Sequence, residues 1–346
     1  MLGHIAISDI NEALPHALPL LLQHGVSHTA ASVANEKATI EWPGVFVTEY
    51  RRPQRNVLFD PVRDANPFFH YLESMWILMG RNDVKFLAHV LPRMADYSDD
   101  GTVFHGAYGY RMRHHFFGDQ LERAIKMLRT QPTTRQCVVT IWDPACDLGA
   151  KTRDMPCNDM LMFKVRKGKL NLTVCNRSND AIWGCYGANA VQFSMLQMYL
   201  AAHIGVKVGN YVQVSDSFHV YSDNPYWQWF TERYQSHSDE WAQPLHESRA
   251  IYENIGDQNL FEDHIEKVDD ELRVFFKEAD AAIDDGGRPI HQFAKSLAVR
   301  TAVQMWNTLS YHRVKQHEVS RTEVWNIELP DWQLAAREWL NRRQAK

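Results

Sequence analysis

Two apolar runs at residues 160–165 and 170–176 flank a Lys167-Gly168 turn, and a long apolar stretch over 190–204 follows and stops at Gly205. The first pair reads as a hairpin, whose alternating side chains must bury one face. The stretch after it reads as a buried helix ended by glycine. Further strands are expected at 137–142 and 206–214, so helices must lie against a sheet. A helix is expected from Pro67 to Met79, capped by Asn66, with Phe68, Phe69, Leu72, Met75, Trp76 and Met79 at helical spacing and Gly80 as its stop. Another is expected over 119–129, with Leu121, Ile125 and Leu128 on one face. Residues 1–60 show only short strand-like runs such as 44–48. After about residue 222 the chain becomes helical and aromatic, then acidic over 262–285, with a loop at 284–287. This order predicts an α+β fold, a mixed sheet surrounded by helices. The expected division is a core over 1–222 and a helix-rich extension over 223–346 continuous with it.

Composition excludes several function classes. The 346 residues carry 45% hydrophobic and 23% charged side chains and a net charge of −5. A broad nucleic-acid surface is therefore not expected, and an anionic ligand must be held by a local arginine cluster. The five cysteines, at 137, 146, 157, 175 and 185, form no CxxC, so no metal site is expected. Their odd number and irregular spacing point to a reduced, cytoplasmic chain. The apolar stretch 13–22 contains Pro15 and Pro19 and lacks a basic leader, so it is read as neither a signal nor a membrane span.

The chemistry centres on Cys157, within Asp154-Met-Pro-Cys-Asn158, and on Asn176-Arg-Ser-Asn-Asp180. A cysteine by itself reads as a small buried hydrophobe. The hairpin changes that reading, because it brings the end of the second string within reach of Cys157. Arg177 can then favour the thiolate. Arg177 and Ser178 can also bind a phosphate, although an Arg–Asp pair read alone is a surface salt bridge. Glu73, beside an apolar stripe, must be paired or functional if it is buried.

Taken together, these strings resemble thymidylate synthase and its hydroxymethylase relatives. The matched elements run in family order: Glu73 before Met75-Trp76, Gly106-Ala-Tyr-Gly109 with Tyr110-Arg111, Thr134-Arg135, Pro156-Cys157, Arg177-Ser178-x-Asp180, Gly184, Asn189, and Asp216-x-x-His219-x-Tyr221. The resemblance implies that Cys157 is the nucleophile adding to C6 of a pyrimidine nucleotide. It implies that Glu73 moves protons near C4 of the base and that Tyr108 lies near C5. Asp180, with Gly184 and Met94, is implied at the folate. Arg177 and Ser178 are implied at the phosphate, and His219 and Tyr221 at the sugar. Arg135 is implied to reach across a two-fold axis to the partner's phosphate, in a homodimer whose sheets pack back to back. Each residue also has a structural reading: Glu73 on a solvated helix face, Tyr108 in the core, Asp180 as a loop cap, and His219 and Tyr221 packed at a strand end. A further phosphate arginine is sought among Arg51, Arg52 and Arg55.

Four departures from the synthase pattern shape the expected activity. Asn158 replaces a histidine that belongs near the base's C4 oxygen. Met94 and Tyr97 stand where tryptophans wall off the one-carbon unit, and a thinner wall lets water capture it. The tail after Asn341 lacks the synthase's closing segment. The loop Gly184-Cys-Tyr-Gly-Ala-Asn189 is one residue longer, so Ala188 reads the base without a gap and Asn189 reads it with one. The expectation is therefore a nucleoside monophosphate 5-hydroxymethylase using 5,10-methylenetetrahydrofolate, leaning to dCMP as in phage-type deoxycytidylate and nucleoside-antibiotic cytidylate hydroxymethylases. The alternatives are a dUMP hydroxymethylase, a thymidylate synthase or dCMP methylase using the folate hydride, and a catalytically idle nucleotide-binding homologue.

Overall fold

The computed structural model describes residues 1–30 and 37–343. Its eight described strands form one mixed sheet. They are β1 (Gly3–Ile7), β2 (Val26–Ala30), β3 (Lys37–Glu41), β4 (Phe46–Tyr50), β5 (Val138–Thr140), β6 (Asn158–Arg166), β7 (Lys169–Asp180) and β8 (Lys207–Tyr221). The strand order is β1-β4-β8-β7-β6-β5, with β3 also paired to β8 and β2 to β3. β6 and β7 form the expected hairpin, with Lys167 and Gly168 both at positive φ. β7 and β8 run parallel, so they need a crossover. The helix Asn189–Ile204 supplies it, buried from Asn189 through Ala201 and ended by Gly205 in the left-handed region at φ 81°.

The strands depart from the expected bounds in two places. The 137–142 run shrinks to Val138–Thr140, because the backbone N–H groups of Ile141 and Trp142 both turn to the carbonyl of Asp159. The 206–214 run extends to Tyr221, held beyond the apolar stretch by β7 on one side and by β3 and β4 on the other. Residues 13–22 belong to the helix Ala13–His24, and among the described residues no helix is long and apolar enough to cross a membrane.

The helix Pro67–Leu78 begins as the sequence predicts, with the Asn66 side chain accepting from the N–H of Phe69. Every residue of it is buried, Glu73 included. The extension explains why. The helices Leu297–Arg313 and Pro330–Arg342 lie against it, with Tyr71 donating to the carbonyl of Ala298 at 2.8 Å and packing edge-on against Trp332 at 5.0 Å. The residues after 222 thus complete the core around the helix that carries Glu73.

The other face of the sheet is open. Along the registers, Val138, Met162, Thr173 and Val212 form one row, and Thr140, Met160, Cys175 and Val214 form the next. Val138 is 53% exposed, and Met160 and Met162 nearly 40%. An apolar patch of this kind on one sheet face marks a contact surface.

Candidate active site

Cys157 immediately precedes β6, and the backbone N–H of Arg177 donates to its carbonyl at 3.0 Å. Register shifts between Asn158 and Met160, a bulge that re-aims the side chains beside Cys157. Arg177 crosses the hairpin, donating from Nε to the carbonyl of Pro156 at 2.7 Å and from Nη2 to that of Met155 at 3.1 Å. The same Nη2 lies 3.8 Å from the Cys157 sulfur. The guanidinium pulls the thiol pKa down as expected, but burial outweighs it and the net shift is upward.

The expected tyrosine faces this sulfur, and Glu73 lies within charge range of Asp154, three residues before Cys157. Tyr108 faces Cys157 and Asn158, and burial raises its hydroxyl well above the ordinary value. Its loop fits only because of glycine. A Cβ on Gly106 would lie 2.5 Å from the carbonyl of Asp154, and one on Gly109 would lie 2.1 Å from that of Ile77. Glu73 receives a 2.6 Å hydrogen bond from Gln192 Nε2, and burial pushes its carboxyl up to about 8. At neutral pH it therefore carries a proton that it can give. Asp154, raised by burial to about 6, accepts from the N–H of Gly106 at 2.7 Å.

Asn189 occupies the first turn of its helix and shares a face with Gln192, three residues on. A line of amides fixes its orientation. Gln213 Nε2 donates to the carbonyl of Cys185 at 3.0 Å, and a carbonyl can only accept. Gln213 Oε1 therefore faces Asn179 Nδ2, at 3.0 Å. Asn179 Oδ1 then accepts from Asn189 Nδ2 at 3.1 Å, and Asn189 Oδ1 faces Asn158 Nδ2 at 3.5 Å. Gly184 borders this amide, since a Cβ there would meet Asn179 Oδ1 at 3.3 Å and Asn189 Nδ2 at 3.5 Å. The Asn158 Oδ1 is buried without a partner among the described residues. Asn189, rather than Ala188, thus lies beside Asn158, the residue that follows Cys157.

Asp180, the last residue of β7, pairs in register with His219 on β8. It caps the following turn by accepting from the N–H groups of Ile182 and Trp183, and burial raises its pKa. His219 is buried and meets Tyr221 edge-on at 5.3 Å. Ser178 is half-buried on β7, opposite Ser217.

Arg63 was not singled out in the sequence. It is buried beside this end of the sheet, donates from Nε to the carbonyl of Ile182 at 2.9 Å, and has Nη1 and Nη2 without partners among the described residues. Burial lowers its pKa to about 10, while Asp180 and Asp60 oppose that shift. The Trp183 ring lies 4.0 Å from the Arg63 guanidinium and 4.4 Å from that of Arg93. Met94, next to Arg93, packs partly buried against the core, and Tyr97 is 48% exposed. Nothing in the string Pro61-Val-Arg-Asp64 signals a site; only burial without partners does.

Arg135 is not brought to this cluster. It is exposed in the 131–136 loop and makes no ion pair among the described residues. Of the three candidate arginines near the amino end, Arg55 and Arg52 approach Asp257 at 2.6 and 3.7 Å, and Arg51 is exposed.

A family model described as thymidylate synthase matches residues 68–285. A deoxyuridylate hydroxymethyltransferase of Pseudomonas phage M6 is 37% identical over 99% of this chain and 94% of its own length. A relative of the same description from Bacillus phage SP01 is 44% identical over 51% of this chain and 49% of its own. Among solved structures, thermostable thymidylate synthase A from Bacillus subtilis shares the fold at a TM-score of 0.51 and 21% identity, over 62% of this chain and 80% of that one. The chain belongs to the thymidylate synthase family. Within that family it is a one-carbon transferase.

Proposed function

We propose that this protein is a deoxyuridylate 5-hydroxymethylase that draws its one-carbon unit from 5,10-methylenetetrahydrofolate. The observation that carries the reading is the convergence of Arg177, Tyr108 and Asn158 on Cys157, with the buried Glu73–Gln192 pair in the same core. The Cys157 thiolate adds to C6 of the base, which makes C5 nucleophilic. Glu73 supplies a proton on the C4 side, and Tyr108 assists loss of the C5 proton. Arg177 fixes the sulfur's loop and, with Ser178, meets the phosphate, while His219 and Tyr221 hold the sugar. When bound, the folate supplies carbon at the oxidation level of formaldehyde. The side chains fit such a group: Asp180 is a polar contact for its ring, and Arg63 a buried cation with two nitrogens unpartnered among the described residues and suited to a carboxylate.

Water capture, rather than reduction to a methyl group, follows from Met94. Trp183 does not replace the missing aromatic wall, because its ring is held against Arg63 and Arg93. The hydroxymethyl outcome also matches the phage relatives' descriptions.

The base is proposed as uracil. Asn189 is a neutral amide whose orientation the Cys185–Gln213–Asn179 line fixes, so it suits one order of donor and acceptor. Uracil offers a donor at N3 and an acceptor at O4, and cytosine offers the reverse. One base therefore fits and the other requires the whole line to flip. The phage relatives' descriptions support uracil. Asn158 in the histidine's place is the observation that favours cytosine. Release of the C5 hydrogen from labelled dUMP and dCMP separates the two. The expected kcat/KM ratio favours dUMP by at least about 100-fold, the scale set by mispaired buried polar groups. The Asn189→Asp variant shifts that ratio toward dCMP. A wild-type preference for dCMP overturns the choice of base and leaves the reaction class standing.

The homodimer is part of the same proposal. The open apolar face around Val138, Met160 and Met162 is the surface that would pack against a second copy, and Val138 opens the strand that follows Arg135's loop.

A further inference from the structure

We infer that this protein holds a divalent transition-metal ion of the zinc class, outside the nucleotide site, on Cys146, His115 and Asp143. The Cys146 sulfur lies 3.8 Å from His115 Nε2, and that nitrogen lies 2.7 Å from Asp143 Oδ2. The three ligand atoms all fall within 4.8 Å of one another. In a tetrahedral centre with bonds of roughly 2.0–2.3 Å, ligand atoms stand roughly 3.3–3.8 Å apart. The sulfur–nitrogen distance already meets that spacing, and the nitrogen–oxygen pair need open by only about half an ångström. A water can take the fourth position.

The charges favour an ion. Asp147 is buried and gripped by two nitrogens of Arg111, at 3.0 and 2.8 Å. With Cys146 as thiolate, three anions (Cys146, Asp143, Asp147) face one cation (Arg111), leaving two negative charges for a divalent ion to neutralise. Thiolate, imidazole and carboxylate are the donor set that zinc accepts. On binding, the Cys146 proton passes to solvent. The partners also lock the ligands' orientation, as second contacts at metal sites do. Asp147 Oδ1 accepts from His105 Nε2 at 2.8 Å, and Asp147 Oδ2 accepts from the N–H of Asp143 at 2.8 Å. The His115 and Asp143 side chains are 27% and 21% exposed, so an ion can enter. Cysteine spacing alone misses this group because its ligands come from separate segments.

Such an ion would tie together the two loops that frame the nucleophile. His105 precedes Gly106 and Tyr108. Asp143 follows Trp142, whose ring lies 5.7 Å from the Arg177 guanidinium.

The test uses the full chain, stripped with chelator and titrated with Co2+ as a spectroscopic stand-in. One Co2+ per chain with a thiolate-to-cobalt absorption is expected, displaced by Zn2+. The band persists in Cys157→Ser and disappears in Cys146→Ser, while His115→Asn weakens binding by about 10-fold or more. Circular dichroism confirms that each variant is folded, and His115→Asn decides the matter if Cys146→Ser is not. A wild-type chain without the band, a band that survives in folded Cys146→Ser, undiminished binding in folded His115→Asn, or a band lost in Cys157→Ser overturns the inference. No turnover is read, so the result is independent of the proposed reaction.

Discussion

Replacing Cys157 with serine is expected to lower kcat by about 10⁴-fold or more while nucleotide still binds. A serine hydroxyl near neutral pH is almost wholly protonated and attacks C6 far more weakly than a thiolate, so the covalent route closes. The phosphate and sugar contacts do not depend on the sulfur. Arg177 is anchored by the carbonyls of Met155 and Pro156, which the substitution leaves in place. Folding stability should therefore change by no more than about 1 kcal/mol. Calorimetric titration with dUMP and release of the C5 hydrogen measure the two effects separately. A variant that keeps a tenth of the wild-type C5 release would remove Cys157 from the mechanism.

The second large effect is expected at Glu73, on both rate and stability. Glu73→Gln keeps the shape and the contact with Gln192 but carries no transferable proton. Loss of a positioned acid costs about 10²–10⁴ in rate. The stability effect has a definite sign. Burial moves the carboxyl from its ordinary 4.5 to about 8, so the folded chain holds a proton that the unfolded chain has released between those values. The group's contribution is fully present below pH 4.5 and is lost as pH rises through about 8. At about 1.4 kcal/mol per unit, the loss is a few kcal/mol at most. Glu73→Gln should therefore melt higher than wild type at about pH 9, and this advantage should shrink toward about pH 5. Equal displacement of Tm at both pH values would mean that Glu73 ionises normally.

Much of this site was legible before any coordinates, for physical reasons that differ along the chain. Asn66-Pro67 and Gly80 bound a helix by local chemistry, and Lys167-Gly168 fixes a hairpin by backbone conformation. Those signals are short-range, so they placed Glu73 on its helix and Arg177 opposite Cys157. β1 was not legible because it has five residues and takes its meaning from β4, far along the chain, while the 44–48 run reached only the first three residues of β4. The end of β8 was hidden because Ser215-Asp216-Ser217 interrupts the apolar pattern while the backbone pairing continues. Arg63 and Gln192 carry no motif. Their roles come from burial beside groups that the fold brings in from other segments. The amide line from Cys185 to Asn158 joins four separate parts of the chain, and it is what separates Asn189 from Ala188.

The most direct test of the central claim is a mass spectrum of dUMP after incubation with this protein and methylenetetrahydrofolate. A gain of CH2O, without formation of dihydrofolate, is the predicted result. A gain of CH2 with dihydrofolate would contradict it and show that the wall around Met94 excludes water after all.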